Sequence, residues 1–123
     1  MTTVLLVEDE ADVRDIIVEA FAEHDLQVLC AENDQRAYDM LQERAKEFAV
    51  LVADINLGPG TTGFDVARRA RQLNRDLKVI YITGHAAHLN RFGVDGAVMF
   101  PKPFNPHELA EQVNEMLARG APA

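Results

Sequence analysis

Five short apolar runs, rich in β-branched residues, punctuate the chain: Val4 to Val7, Val28 to Ala31, Val50 to Ala53, Leu77 to Thr83 and Ala97 to Phe100. Each has the length of a strand, and the lack of clean polar alternation suits parallel strands covered on both faces. Between the runs, apolar residues recur at helical spacing, as in Val13, Ile16, Ile17, Ala20 and Phe21, and again in Ala37, Met40, Leu41 and Ala45. Such stripes predict amphipathic helices, each laying one side on a sheet. The best-marked helix opens Asn105-Pro106-His107-Glu108 and continues through Leu109, Val113, Met116 and Leu117. Asn is a preferred N-cap, and Pro suits the first helical position because its missing N–H has no partner there anyway. Strands alternating with helices predict right-handed crossovers and a small doubly wound α/β sandwich around a parallel sheet.

Length narrows this to one domain. The 123 residues hold a single core, expected over residues 1–119, with 120–123 as a frayed tail and no separate output domain. No repeat, low-complexity tract or linker interrupts the pattern. No apolar run approaches the ~20 residues that cross a bilayer, and Met1-Thr2-Thr3 leads straight into the first run without the basic region of a secretory leader. A cytoplasmic protein with no membrane contact is expected. The formal charge of −8 argues against nucleic-acid binding, which needs clustered Lys and Arg. Cys30 is the only cysteine, which excludes an internal disulfide and a thiolate metal cluster and leaves it as a small buried apolar residue.

Solubility accounts for most of the 20 carboxylates, but not for those that terminate apolar runs. In open α/β sheets, sites form outside the carboxyl ends of the strands. There the first run presents Glu8-Asp9, the third Asp54, the fourth Thr83, and the fifth is followed by Lys102 between Pro101 and Pro103. Two unit charges about 4 Å apart interact by roughly 4 kcal/mol at an effective dielectric of 20, so converging carboxylates require a cation. Oxygen ligands favour a hard ion, and Mg²⁺ commonly takes one or two carboxylates together with waters and a phosphate. Lys102 supplies a second positive charge. An Asp flanked by a metal and a Lys can accept a phosphoryl group, since that chemistry rests on positioning and electrostatics. Asp54 is the candidate nucleophile, and Thr83 can donate its hydroxyl to a phosphoryl oxygen.

The set Glu8-Asp9, Asp54, Thr83 and Lys102-Pro103-Phe104 resembles that of the response regulator receiver family, from about Val4 to Leu117. The Leu-Val-Glu-Asp-Glu opening and the late Lys-Pro-Phe are specific in combination. The resemblance implies five parallel strands in the order 2-1-3-4-5, a flavodoxin-like fold, and phosphorylation of Asp54 by a histidine kinase or a histidine phosphotransfer protein. It implies Mg²⁺ held by Asp9, Asp54 and the Asn56 main-chain carbonyl, with Glu8 acting through water, and Lys102 paired with the phosphoryl group. It further implies a cis Lys102-Pro103 peptide. The module then signals by protein contact to a downstream target, with phosphorylation-dependent dimerisation as one route. It is expected to be no enzyme beyond assisting its own phosphorylation and dephosphorylation.

Three departures from the family bear on the relay. The aromatic switch position holds Met99, with Phe100 one residue later. Only 18 residues separate Thr83 from Lys102, and Gly84, Gly93 and Gly96 weaken helix formation there, so the fourth helix, across His85 to Phe92, is expected to be short or irregular. The Gly- and Thr-rich stretch Ile55 to Gly63 predicts either a mobile loop able to gate the site or simply a long turn. Asn56 and His85, two residues after the acceptor and after the Thr, stand at the positions the family uses to tune phosphoryl lifetime, with a solvated loop histidine as the other reading of His85. His24, His88 and His107 show no metal-ligand spacing. Two other activities fit less well. Hydrolases of the haloacid dehalogenase kind carry Asp-x-Asp, whereas here the sequence is Asp54-Ile55-Asn56. A flavodoxin-like cofactor site would meet repulsion from Glu8-Asp9. A phosphorylation-independent interaction module remains the alternative on the same fold.

Overall fold

The computed structural model describes residues 2–55, 62–84 and 93–119. Five strands, β1 (Thr2–Val7), β2 (Leu26–Ala31), β3 (Val50–Asp54), β4 (Lys78–Thr83) and β5 (Val98–Pro101), form one parallel sheet in the order β2-β1-β3-β4-β5. Among the described residues there are four α-helices: α1 (Ala11–Ala22), α2 (Asp34–Arg44), α3 (Gly63–Leu73) and α4 (Pro106–Ala118). The expected strand order and sandwich are both present. The segment assigned to the short or irregular helix, 85–92, lies outside the described residues.

Strand alternation divides the core into two layers. Val4, Leu6, Val50, Val52, Ile80 and Ile82 pack with Ile17 and Phe21 of α1 and with Leu109, Ala110 and Val113 of α4. Leu5, Val7, Leu51, Ala53, Val79 and Tyr81 pack on the other side with Ala37, Met40 and Leu41 of α2 and with Phe64, Ala67 and Ala70 of α3. The three inner strands are buried throughout their apolar runs apart from Lys78 at the start of β4, as their composition predicts.

Two expectations of burial are corrected. Cys30 is only half-buried, because β2 is an edge strand and its outer flank has no neighbouring strand. Ile16, placed in the core-facing stripe, is 54% exposed: Ile17, Ala20 and Phe21 fill the buried face of α1, and Ile16 falls at its margin.

The helix starts follow local chemistry. Asn105 caps α4 by accepting a hydrogen bond from the His107 N–H at 2.8 Å, with Pro106 in the first turn. Thr62, expected to belong to a mobile loop, is the N-cap of α3, where it and Asp65 form a reciprocal capping box. Most of that loop, residues 56–61, lies outside the described residues.

Candidate functional site

The alternation that turns Val4 and Leu6 toward α1 and α4 carries Glu8 to the same side just past β1, and likewise Asp54 after Val50 and Val52. The Glu8 N–H extends the ladder by donating to the Ala31 carbonyl at 3.1 Å, and Arg14 Nη1 donates to the Glu8 carbonyl at 2.9 Å. On the opposite flank, the Lys102 N–H donates to the Thr83 carbonyl at 2.8 Å. This bond carries the pairing of β4 with β5 one residue beyond Pro101 and swings Lys102 over the sheet edge. The Lys102-Pro103 peptide is cis, as expected.

These constraints bring together residues far apart in sequence. Lys102 Nζ lies 2.7 Å from Asp54 Oδ2, an ion pair between a one-third exposed amine and a buried carboxylate. Glu8, Asp9 and Asp54 each offer an oxygen, all within 4.8 Å of one another. Glu8, Asp54 and Thr83 are 1%, 3% and 4% exposed, the buried polar residues among those described, while Asp9 faces solvent.

Electrostatics follow from that crowding. The Glu8 carboxyl is pushed from an ordinary 4.5 up to about 8. Burial is the largest cause; an interaction with the Asp54 side chain and the charges of Asp54 and Asp9 add to it, against Lys102. Burial alone would lower the Lys102 amine, but its bond to Asp54 and the charges of Asp54, Glu8 and Glu10 outweigh this and raise it. Both Oε atoms of Glu8 are sealed from solvent, and neither makes a hydrogen bond of ordinary length and angle. Two orphaned buried oxygens beside two further carboxylates form a hard, oxygen-only donor set that fits a small divalent cation such as Mg²⁺.

The remaining predicted residues fall around this centre. Thr83 ends β4, whose Ile82 pairs in register with Asp54. Asn56 and His85 lie outside the described residues. Met99 packs with the Tyr81 layer, Tyr81 being its partner in register on β4. Phe100 turns to the opposite face and meets Phe104 edge-on at 5.9 Å.

Three contributors escape a reading by strand ends. Arg14 fastens the turn after β1. Gly63 opens α3 so close to Asp54 that a Cβ there would collide with the Asp54 carbonyl oxygen and approach its carbon to 3.0 Å. Tyr81 is fully buried, touches Phe64 edge-on at 4.8 Å, and its hydroxyl accepts the Val94 N–H at 3.1 Å. The Thr-x-x-Asp spacing could have revealed the α3 cap; nothing local marks Arg14. Beside the site runs an apolar groove of about 470 Å³, lined by Val13, Ile16, Ile17, Lys102, Pro103 and Phe104 among others.

A family model described as the response regulator receiver domain matches residues 4–114. The response regulator receiver protein CpdR of Brucella abortus is 35% identical over 120 residues, covering 95% of this chain and 98% of CpdR. Longer relatives also match: the chain spans 53% of a phosphate regulon transcriptional regulator and 13% of a sensor kinase. Among solved structures, a receiver protein from Sinorhizobium medicae superposes with a TM-score of 0.87 at 29% identity, covering 95% of this chain and 94% of that one. The response regulator TrrA of Thermotoga maritima, solved in complex with Mg²⁺-BeF, does so with a TM-score of 0.78 at 29% identity, covering 95% and 100%. No described helix is long and apolar enough to cross a membrane.

Proposed function

The chain belongs to the response regulator receiver domain family of two-component signalling, and from that premise we propose that Asp54 accepts a phosphoryl group from a histidine kinase or histidine phosphotransfer protein. The observation that carries this reading is the buried Asp54 carboxylate, held 2.7 Å from Lys102 Nζ within the Glu8, Asp9 and Asp54 oxygen cluster. A carboxylate oxygen of Asp54 attacks the phosphorus of a phosphohistidine. The P–O bond forms as the P–N bond breaks, and the donor ring, protonated on its other nitrogen, leaves with the bonding electrons as neutral imidazole. The product is an acyl phosphate.

Each neighbour has a task in that transfer. Lys102 first orients the carboxylate and then pairs with the added phosphoryl oxygens, a fixed charge aimed where negative charge gathers. Thr83 donates its hydroxyl to a phosphoryl oxygen. Glu8, Asp9 and Asp54 would hold Mg²⁺, joined by the main-chain carbonyl of Asn56. Bound there, Mg²⁺ would neutralise charge on the transferring group. The apolar groove along α1, with exposed Ile16 and Lys102 both on its lining, suits the apolar side of a donor helix presenting its histidine to Asp54. Output is by contact with a downstream protein.

Intact-mass measurement after incubation with acetyl phosphate and Mg²⁺ tests the assignment. The expected result is a gain of one phosphoryl group that disappears with EDTA and in Asp54→Asn. Equal labelling of Asp54→Asn would overturn it, and no labelling of the folded wild type by acetyl phosphate or a cognate kinase would favour a phosphorylation-independent interaction module.

A further inference from the structure

His24 and His107, 83 positions apart, meet where the end of α1 abuts the start of α4, with His24 Nε2 3.3 Å from His107 Nδ1. The second nitrogen of His107, Nε2, lies 3.4 Å from Glu23 Oε2. We propose that this pair is a surface site for a borderline transition cation such as Zn²⁺, Ni²⁺ or Cu²⁺, separate from the carboxylate cluster at Asp54.

Three observations support the assignment. The first is spacing. Bonds of 2.0–2.1 Å in a tetrahedral shell separate two nitrogens by about 3.3–3.4 Å, the separation found between His24 and His107. The second is the outer carboxylate. A ligating imidazole commonly gives its other N–H to a carboxylate, which fixes the tautomer and raises its basicity, and Glu23 stands at that position. The third is pre-organisation. His107 follows the Asn105 cap and its backbone is bound there at 2.8 Å. The backbone of His24 is tied to Phe21 at 3.0 Å, and its carbonyl faces Asn114 Nδ2 at 3.5 Å. Half of the His107 side chain and two-thirds of that of Glu23 remain exposed, leaving room for entry and for waters to complete the shell. Imidazole nitrogens select Zn²⁺, Ni²⁺ and Cu²⁺, while Mg²⁺ prefers oxygen, so the two sites take different ions. A bound cation would clasp α1 to α4.

Electron paramagnetic resonance of Cu²⁺ added to the whole chain, with Mg²⁺ in excess, provides the test. The expected spectrum carries coupling to two nitrogens. It falls to one or none in His24→Ala and in His107→Ala, and persists in Asp9→Ala and in His85→Ala. Glu23→Gln, which keeps both ligands, weakens binding about tenfold. An oxygen-only spectrum for the wild type, or nitrogen coupling unchanged in folded His24→Ala and His107→Ala, overturns the site.

Discussion

Glu8 is the residue at which burial and function pull against each other. Its carboxyl, raised from 4.5 to about 8, keeps a proton in the folded chain that the unfolded chain gives up. Its contribution to stability is therefore complete below about pH 4.5 and is lost as pH rises through 8. A cation reverses the preference, because carboxylates that hold a metal must be deprotonated. We expect Mg²⁺ affinity to strengthen from pH 6 to 8 by up to about tenfold per unit and then level off, with proton release on binding. Glu8→Gln should flatten that dependence; titration calorimetry at several pH values reads both, and a pH-independent wild type would contradict the picture. Glu8, Asp9, Asp54, Thr83 and Lys102 were legible in the sequence because each stands at or just past the end of an apolar run, where the fold class alone puts a site. His24, His107 and Glu23 were not, since their meeting depends on how α1 and α4 pack and leaves no trace in spacing.

At the scale of an element, the junction of β3 with α3 is the least tolerant part of the site. The Gly63 N–H donates to the Ile55 carbonyl at 3.0 Å, drawing the helix start against the end of β3, and only a residue without a Cβ clears the Asp54 carbonyl. Gly63→Ala is expected to cost ~1–3 kcal/mol of stability by overpacking and to slow phosphorylation of Asp54 as well, because the clash lies on the acceptor's own backbone. Thr62→Ala, by contrast, removes a cap worth ~1 kcal/mol and should leave the phosphorylation rate near that of the wild type. Denaturant unfolding paired with a labelling time course separates the two. Asp65 adds an acid limit to the same cap. Its carboxyl is held below the usual range first by the Thr62 backbone N–H, with the Thr62 hydroxyl and Arg68 assisting, so its contribution is present above about 3.8 and fades as pH falls below it. The capping box was written in the sequence as Thr62-x-x-Asp65, but the neighbouring glycines give the same composition as a turn, and composition alone cannot distinguish a cap from a loop. Edge strands blurred the other expectation. Periodicity identifies a strand but not its neighbours, and so did not foretell the half-burial of Cys30 on β2.

Across the whole molecule, the site is a local exception to an otherwise consistent design. Apolar runs, helical stripes and caps all favour the same sandwich, while three carboxylates at one end of the sheet oppose its closure, as expected where function is placed on a stable scaffold. The net charge of −8 adds a diffuse repulsion to this local one. Lys102 offsets part of it through Asp54, leaving Asp9, and Glu8 once it gives up its proton, to be balanced by a bound cation. The melting temperature should therefore rise with Mg²⁺. At a hundredfold excess over the dissociation constant the gain is ~2.7 kcal/mol, which for a domain of this size corresponds to roughly 5–15 °C. Asp9→Asn should lose most of that response. In the absence of metal and above about pH 8, where Glu8 is ionised, Asp54→Asn should melt higher than the wild type, because it removes the charge that both Glu8 and Asp9 oppose while leaving an amide oxygen for Lys102. Thermal unfolding followed by circular dichroism, with EDTA and then with Mg²⁺, reads all three. A metal-free Asp54→Asn that melts lower than the wild type would mean that the ion pair to Lys102 outweighs the carboxylate repulsion, making Asp54 a structural anchor of the sheet edge as well as its reactive group.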